Sequence, residues 1–374
     1  MEKYSRWSDL TTGINPFVPH KQRFHDNAAV KALQLLGRAP LLVIRLPLLI
    51  VGGALLTMIN VLVSIFGFVP FLGRFLKRLV EWVLCSMLLL ILGVFVTEEP
   101  ANTRRLGLTT PGAKAANKST RVGAKELIVC NHTSFIEVLY LARRFSPVFC
   151  FVSEEGASKG HVHACGLVEA VFRGFAQPSL QDKGTPRKLE DVIRRASGPV
   201  VIFPEGARTN GKTVLKFLPI LEQLPFQLSE KNAKKKLELK VHLVAFRYEF
   251  TNFGPSQSAG GGWAHLMWTC LYAYHLARVT HLHAKDLNLH DIGPATRSKP
   301  ASAATAAQLT LLHVERLRGL LAAMLRTKPV DLTVKDFLSF NAYWNHVTSG
   351  GKKSAAEFTD RKAPHEHAQW TTRK

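Results

Sequence analysis

A chain of 374 residues with 47% hydrophobic content is long and apolar enough to bury a substantial core, which excludes disorder throughout. Its formal net charge of +22 and pI near 10.0 call for an anionic partner, which could be nucleic acid, an anionic membrane surface or a small anion. The five cysteines show no C-x-x-C spacing and lie mostly in apolar runs, so they predict reduced thiols and exclude a disulfide framework and a zinc site.

The first hundred residues divide into a polar arm, residues 1–38, and an apolar, membrane-anchoring segment, residues 39–98. Leu46–Gly73 are 28 consecutive positions without Asp, Glu, Lys, Arg or His, which is enough to cross a bilayer. About 45 mixed residues precede this run and no small-residue cleavage site follows it, so we expect an anchor and not a cleaved signal peptide. A second uncharged run, Trp82–Thr97, would span about 24 Å as a helix, against a hydrocarbon core of about 30 Å.

Basic residues flank both apolar runs and also lie between them, among them Arg38, Lys77 and Arg104. By the positive-inside rule, this pattern favours a hairpin that dips into one leaflet, or one tilted span with an interfacial helix. Two complete spans and a buried pair of soluble helices stay open as alternatives. In a hairpin or a two-span arrangement both parts that flank the anchor lie on one side of the membrane, which we predict to be the cytosol.

After a linker at residues 99–122, short β-rich runs alternate with amphipathic helices, which is typical of an α/β layer. We predict an α/β domain with a mostly central sheet over residues 123–290, a helical region over 291–345 and a basic, disordered tail over 346–374. The predicted strands are Leu127–Cys130, Val148–Val152, Pro199–Phe203 and Leu237–Phe246. The predicted helices run from Phe135 to about Arg144, from Pro186 (N-capped by Thr185) to Ser197, and from Ala301 to Thr327.

His132 is the first candidate catalytic residue, because it lies where the strand Leu127–Cys130 ends and a helix begins. Ligands gather at such strand ends in α/β layers. Glu137, in the first turns of that helix, can hold one imidazole nitrogen so that the other accepts a proton from a hydroxyl. The plain alternative for a lone histidine beside an asparagine is a loop or capping role.

A second candidate segment, residues 203–212, also follows a strand and concentrates glycines, a carboxylate and basic residues in one turn. The guanidinium of Arg208 offers a planar fork suited to phosphate, and glycines let backbone N–H groups approach such a group. The alternative is a polar hairpin with a surface salt bridge.

Together the two segments resemble the first and third motifs of the glycerolipid acyltransferase family. Residues 131–137, Asn-His-Thr-Ser-Phe-Ile-Glu, are similar to the family's Asn-His-x-Ser-x-x-Asp, and residues 203–208, Phe-Pro-Glu-Gly-Ala-Arg, to its Phe-Pro-Glu-Gly-Thr-Arg. A weak second motif lies at Gly166–Arg173, and the fourth, an apolar strand, at Val241–Phe246. The resemblance covers about residues 123–290.

Residues 1–4 and 12–17 also look like the start of the fungal lysophosphatidic acid:oleoyl-CoA acyltransferases. The resemblance implies an acyltransferase-type α/β fold and the activity of a 1-acylglycerol-3-phosphate O-acyltransferase in glycerolipid and triacylglycerol synthesis. It implies membrane lipids, a lysophospholipid acceptor and acyl-CoA, expected to be oleoyl-CoA, as partners, with no bound cofactor, no metal and no nucleic acid. It further implies the endoplasmic reticulum membrane, with lipid droplets as a second location that a hairpin anchor would permit, and a catalytic domain facing the cytosol.

Carried over residue by residue, the resemblance makes His132 the base that deprotonates the acceptor's free hydroxyl. Glu205, Gly206 and Arg208 would position the acceptor's phosphate. Arg173 would help to bind an anionic group. No covalent intermediate is needed.

Two positions depart from the family pattern. Glu137 stands where the family has Asp, and its extra methylene requires either a shift of His132 or a folded Glu137 rotamer to keep the hydrogen bond. Ala207 replaces Thr and removes only a hydroxyl. The Glu137 departure leaves an alternative open, a catalytically inactive acyltransferase-like membrane protein that organises lipid surfaces.

Two further groups of residues carry weaker signals. Two histidine pairs have no accompanying carboxylate cluster in the sequence, so we predict surface roles and no metal for His161/His163 and His281/His283. An aromatic-rich group fits an acyl-chain groove, a membrane interface or core packing, namely Trp263, Met267, Trp268, Leu271 and Tyr272.

Overall fold

The computed structural model describes most of the chain: residues 2–20, 27–65, 70–108, 122–176, 185–224, 227–229, 236–250, 253–287, 311–351, 353, 355 and 358. The helices are α1 (Ala28–Ile65), α2 (Pro70–Leu92), α3 (Phe135–Phe145), α4 (Glu154–Ser158), α5 (Leu167–Phe175), α6 (Leu189–Arg195), α7 (Gly262–Leu271), α8 (Ala284–Leu287), α9 (Leu311–Leu325) and α10 (Val334–Thr348). The strands are β1 (Val94–Pro100), β2 (Leu127–Cys130), β3 (Val148–Phe151), β4 (His161–Cys165), β5 (Arg187–Lys188), β6 (Val200–Phe203), β7 (Thr213–Val214), β8 (Gln227–Ser229), β9 (Lys236–Glu238), β10 (Val241–Tyr248), β11 (His275–Leu282) and β12 (Lys328–Pro329). Single 3-10 turns lie at Glu2–Trp7 and Leu221–Gln223.

Eight strands form a mixed central sheet in the order β1-β11-β10-β2-β6-β3-β4-β5, which confirms the predicted α/β class. The four middle strands, β10, β2, β6 and β3, are mutually parallel, whereas β11 and β4 run antiparallel to them. Parallel neighbours have their carboxyl ends at the same edge of the sheet. The loops that follow β2 and β6 therefore meet at one edge.

Residues of the central strands alternate between two hydrophobic cores. In β2, Leu127 and Val129 join the core beneath α6, α9 and α10, and Ile128 and Cys130 join the core beneath α2, α3, α5 and α7. Successive side chains of a strand point to opposite faces, so a strand covered on both sides is apolar throughout. This burial explains why the short run Leu127–Cys130 is recognisable as a strand from its sequence.

Helix α1 is the membrane-spanning candidate. Among the described residues one helix, over Ala28–Val63, is long and apolar enough to cross a membrane by length and composition. Only 6% of an apolar 18-residue stretch within it is buried, so most side chains there face outward. The helix begins at Ala28, inside the stretch predicted as a polar arm. The uncharged run Leu46–Gly73 is shared between the second half of α1 and the start of α2.

The second uncharged run, Trp82–Thr97, does not form a single helix, because it is divided between the end of α2 and the start of β1. Helix α2 ends at Leu92, and Gly93 with φ of +73° turns the chain into β1, which pairs in parallel with β11. A side chain at position 93 would collide with the carbonyl of Ala273. The inner side of α2, including Cys85, is buried against the domain, while Trp82 is 55% exposed on its outer side.

Two other predicted boundaries shift. Arg187 and Lys188 pair with β4, so the helix predicted from Pro186 begins only at Leu189. The strand predicted at Leu237–Phe246 is divided between β9 and β10. The helix predicted over Ala301–Thr327 is described from Leu311 to Leu325 as α9, and residues 301–310 lie outside the described residues.

The N-terminal arm is packed against the domain. Trp7 and Phe17 are 2% and 0% exposed and belong to the core beneath α10, where their rings lie 5.1 Å from Tyr343 and 5.5 Å from Phe337. The predicted disordered tail begins inside α10, which continues to Thr348, and Phe358 packs 5.4 Å from Tyr343. Residues 359–374 lie outside the described part of the chain.

Candidate active site

The two sequence segments singled out above meet at the carboxyl edge of β2 and β6. His132 follows β2, and residues 204–212 follow β6, the adjacent parallel strand. The backbone N–H of Thr209 donates a hydrogen bond of 3.2 Å to the carbonyl of His132. Asn131 ties β2 to β10, its neighbour on the other side. Its side-chain amide donates to the carbonyl of Phe246 at 3.0 Å and accepts from the N–H of Phe246 at 2.8 Å.

His132 and Glu137 form a buried pair. Nδ1 of His132 lies 3.0 Å from Oε2 of Glu137, and Glu137 is 0% exposed. The backbone N–H of Thr133 donates to both carboxylate oxygens, at 3.0 Å and 2.9 Å, and its hydroxyl donates to Oε1. Ser134 caps the helix that carries Glu137 by accepting from Ile136 N–H at 3.3 Å. The extra methylene of Glu137 therefore leaves the contact with His132 in place.

The surroundings of His132 are apolar. Its ring is 6% exposed and lies 4.5 Å from the ring of Phe203 and 6.0 Å from that of Phe151. Because Nδ1 is held by Glu137, Nε2 is the nitrogen that can accept a proton from a bound hydroxyl. Because both side chains are buried, the attraction between the Glu137 carboxylate and an imidazolium formed beside it is stronger than in water.

Glu205 is buried and bound to its own chain. Its side chain is 1% exposed, and Oε2 accepts from the backbone N–H of Leu215 at 2.9 Å. Burial raises the pKa of the Glu205 carboxyl to about 8, against the opposing effect of that hydrogen bond. Gly206 beside it has φ of +66°, and a Cβ there would lie 2.5 Å from Leu218 Cδ1, so this turn requires glycine.

Arg208 is a buried cation with free donors. It is 1% exposed and donates through Nη1 to the carbonyl of Gly174, while Nε and Nη2 have no hydrogen-bond partner among the described residues. Burial lowers its pKa to about 10, offset in part by the negative charge of Glu137, so the guanidinium stays charged at neutral pH. A cation with two unpaired N–H groups is suited to an oxyanion such as phosphate.

Arg173 belongs to a different cluster. Its Nε donates to Glu169 Oε1 at 3.0 Å, and His163 Nε2 donates to the same oxygen at 2.6 Å, so a carboxylate does accompany His163, contrary to the sequence reading. The ligand atoms of His163, Cys165 and Glu169 all lie within 4.8 Å of one another, a spacing that could hold a metal ion. Burial raises the pKa of the Cys165 thiol to about 12, and the Arg173 cation occupies the carboxylate, so both features oppose a metal there.

The second histidine pair and the aromatic group lie in mixed surroundings. His281 is half-buried and hydrogen-bonds the Tyr140 hydroxyl at 3.2 Å, and burial lowers its pKa to about 4, so it is not a plain surface histidine. On α7, Trp263 is 68% and Met267 46% exposed. Tyr272 is buried and stacks 4.8 Å from Phe253, so the group divides between an exposed surface and the core.

The structure brings two further segments to the site that sequence reasoning missed. The N-terminal arm reaches the loop after β6: Asn210 N–H donates to Pro16 at 2.8 Å, and His20 Nε2 donates to the Asn210 carbonyl at 2.8 Å. The loop after β10 reaches the neighbourhood of the His132–Glu137 pair, since Gln257 N–H donates to the Thr133 carbonyl at 2.7 Å. Residues 12–17 of the arm carry a family resemblance but no indication that they reach the site, and the loop after β10 matches no motif, because the folding of distant segments onto the site leaves no local signal in the sequence.

Comparison with known proteins adds one relative. Over 223 residues the chain is 24% identical to a protein of Schizosaccharomyces pombe (strain 972 / ATCC 24843) named "Putative lysophosphatidic acid:oleoyl-CoA acyltransferase", a match that covers 59% of this chain and 68% of the relative. No protein-family model and no solved structure matches. The likeness supports a lipid acyltransferase in general terms.

Proposed function

We propose that the chain is an acyl-CoA-dependent lysophospholipid acyltransferase that converts lysophosphatidic acid to phosphatidic acid. The observation that carries the proposal is the buried His132–Glu137 pair beside the buried, only partly paired guanidinium of Arg208. The name of the yeast relative, which mentions lysophosphatidic acid and oleoyl-CoA, agrees with it.

The reaction needs one base and two positioned substrates. Nε2 of His132 takes the proton of the acceptor's free hydroxyl while the hydroxyl oxygen bonds to the carbonyl carbon of the thioester. The carbon–sulfur bond then breaks, and the imidazolium returns its proton to the leaving thiolate of coenzyme A. Such a base contributes about 10²- to 10⁴-fold, and the alignment of two bound substrates contributes more. No bound cofactor takes part.

The acceptor's head group is assigned from charge. The free Nε and Nη2 of Arg208 would bind the phosphate of lysophosphatidic acid. Glu205, with a pKa of about 8, is protonated at neutral pH and would not repel that phosphate. Together with Gly206 it would shape the loop of residues 204–212 around the phosphate. Arg173, paired with Glu169, would act only as a secondary source of positive charge.

The site of action is assigned from α1 and the net charge. One apolar N-terminal helix is weak evidence of membrane association, and a charge of +22 suits both an anionic lipid surface and acyl-CoA. In line with the family resemblance, we propose the endoplasmic reticulum membrane as the location, with lipid droplets as a second one, and the α/β domain in the cytosol.

An acyl-transfer assay tests the activity. Membranes containing the wild-type protein, given labelled oleoyl-CoA and lysophosphatidic acid, are expected to form phosphatidic acid, and the variant His132→Ala to form almost none. His161→Ala, outside the site, is the matched control and is expected to retain activity. Unchanged product from His132→Ala would remove this residue from the mechanism.

The same assay with a panel of lysophospholipids tests the acceptor. We expect lysophosphatidic acid to give the highest kcat/KM, because its phosphate monoester carries the charge that Arg208 requires. If lysophosphatidylcholine were the only good acceptor, the assignment of the head group would be wrong. Product from no acceptor at all would favour the non-enzymatic alternative.

A further inference from the structure

The loop that follows β10 is polar in sequence and yet buried. Ser256, Gln257 and Ser258 are 7%, 1% and 0% exposed. Polar side chains buried to this extent normally have hydrogen-bond partners, because an unpaired polar group in the interior lowers stability. In the described part of the chain, both Oε1 and Nε2 of Gln257 and the Oγ of Ser258 lack one.

This loop contacts residues that neighbour both the His132–Glu137 pair and Arg208. On one side the backbone N–H of Gln257 is bonded at 2.7 Å to the carbonyl of Thr133, the residue that follows His132 and holds Glu137. On the other side His265 donates to the carbonyl of Pro255 at 2.9 Å and is close enough to Arg208 to feel its charge. The unpaired atoms of Gln257 and Ser258 are therefore carried by a loop whose backbone is bonded to the residue next to His132.

The chemistry of these atoms differs from that of Arg208. An amide and a hydroxyl are neutral, and each offers both a donor and an acceptor. That combination matches a hydroxyl group, which also donates and accepts, better than a phosphate, which at neutral pH mainly accepts, or an acyl chain, which does neither.

We propose that Gln257 and Ser258 bind the glycerol part of the acceptor and hold its free hydroxyl toward Nε2 of His132. The proposal rests on the proposed function and adds to it a second recognition element, which selects acceptors that carry a hydroxyl beside the acylated position. Arg208 fixes the phosphate at one end of the acceptor, and Gln257 and Ser258 fix the reacting end.

The first test separates a binding role from a structural one. Gln257→Met keeps a similar length and removes both unpaired groups, so its thermal unfolding midpoint is expected to equal or exceed that of the wild type. Its kcat/KM for lysophosphatidic acid is expected to fall by about 10-fold or more, with an unchanged KM for oleoyl-CoA. Ser258→Ala is expected to show the same pattern more weakly.

The matched control is Asn341→Leu, which also removes a buried amide with an unpaired oxygen, but in α10. It is expected to leave kcat/KM unchanged. If Gln257→Met lowers the unfolding midpoint in parallel with activity, the residue is structural and the inference fails. If it raises the KM for oleoyl-CoA and not for the acceptor, the loop serves the donor and the inference also fails.

A binding measurement makes the test independent of turnover. Short-chain 1-acylglycerol 3-phosphate and its analogue without the free hydroxyl are compared by the rise in unfolding midpoint that each causes. The wild type is expected to respond more strongly to the hydroxyl-bearing ligand, and Gln257→Met to respond equally to both. This result supports the inference even where no acyl transfer is found, in which case the proposed function alone fails. Equal responses in the wild type overturn the inference.

Discussion

The side-chain amide of Asn210 donates hydrogen bonds to the carbonyls of Asn15 at 2.9 Å and of Val18 at 3.0 Å. One asparagine thus ties the first twenty residues to the loop that carries Arg208. Since Thr209, next to Asn210, is bonded to the carbonyl of His132, the N-terminal arm, the loop of residues 204–212 and His132 form one connected network.

Asn210→Ala is expected to lower both stability and activity. The change leaves the carbonyls of Asn15 and Val18 without their donor in a nearly buried site, at a cost of about 1–3 kcal/mol. Thermal unfolding and the acyl-transfer assay measure the two effects. Asn345→Ala, at an exposed position of α10, serves as control and is expected to change neither. Full activity of Asn210→Ala would mean that the arm does not position the site.

Glu137→Gln is expected to lower kcat by about 10²-fold with little effect on KM. The amide keeps the volume of the side chain but loses the negative charge that favours protonated His132, so the base becomes weaker in the transition state. Steady-state kinetics on both substrates measure the split. Glu155→Gln, on the exposed helix α4, is the matched control. An increase in KM alone would contradict an orienting role for Glu137.

Glu205 is expected to make stability depend on pH. Its pKa in the folded chain, about 8, is above the ordinary value of 4.5, so between these values the folded state binds more protons than the unfolded state. Stability then falls as pH rises from about 5 to 8, and outside that window this group makes stability neither rise nor fall with pH. Thermal unfolding of the wild type and of Glu205→Gln across this range measures the difference, because the variant does not titrate there. Parallel curves would show that Glu205 is ionised throughout.

Val51→Lys is expected to weaken membrane retention. Val51 is 64% exposed on α1, and a lysine near the centre of a membrane helix costs about 2.5–3.5 kcal/mol. Fractionation after washing with high salt and with alkali measures how much protein stays with the membrane. Leu312→Lys, 54% exposed on α9, is the control and is expected to behave as the wild type. Release of the wild type by salt alone would indicate electrostatic attachment without an apolar anchor.

The sequence was sufficient for the strands that are buried on both faces, because β2 and β6 are unbroken apolar runs. It was insufficient for β1. Val94–Thr97 continue the apolar composition of α2 without a break, and hydropathy does not distinguish a helix end from an edge strand. Gly93, whose positive φ makes the turn, was the available local signal.

In the candidate site, too, contacts between residues close in sequence could be predicted, whereas contacts between distant segments could not. The contact of His132 with Glu137 joins residues five positions apart, so it could be expected from spacing at the start of a helix. The burial of Phe17 depends on Phe337 and Phe340, more than 300 residues away, and no local pattern encodes such a contact. Gln257 is likewise unremarkable in sequence and becomes notable only through its burial next to Thr133.

The hydrogen bond from His20 to Asn210 limits how far the candidate site can lie from the start of α1. Only seven peptide units separate His20 from Asn27, directly before α1, and at roughly 3.5 Å each they reach at most about 25 Å. If α1 is held in a bilayer, the loop of residues 204–212 must stay within that distance of the membrane surface. A lysophospholipid would then have only a short distance to travel from the leaflet to Arg208. Inserting glycines into residues 21–27 would increase the maximum distance between the site and α1 without changing any side chain of the site.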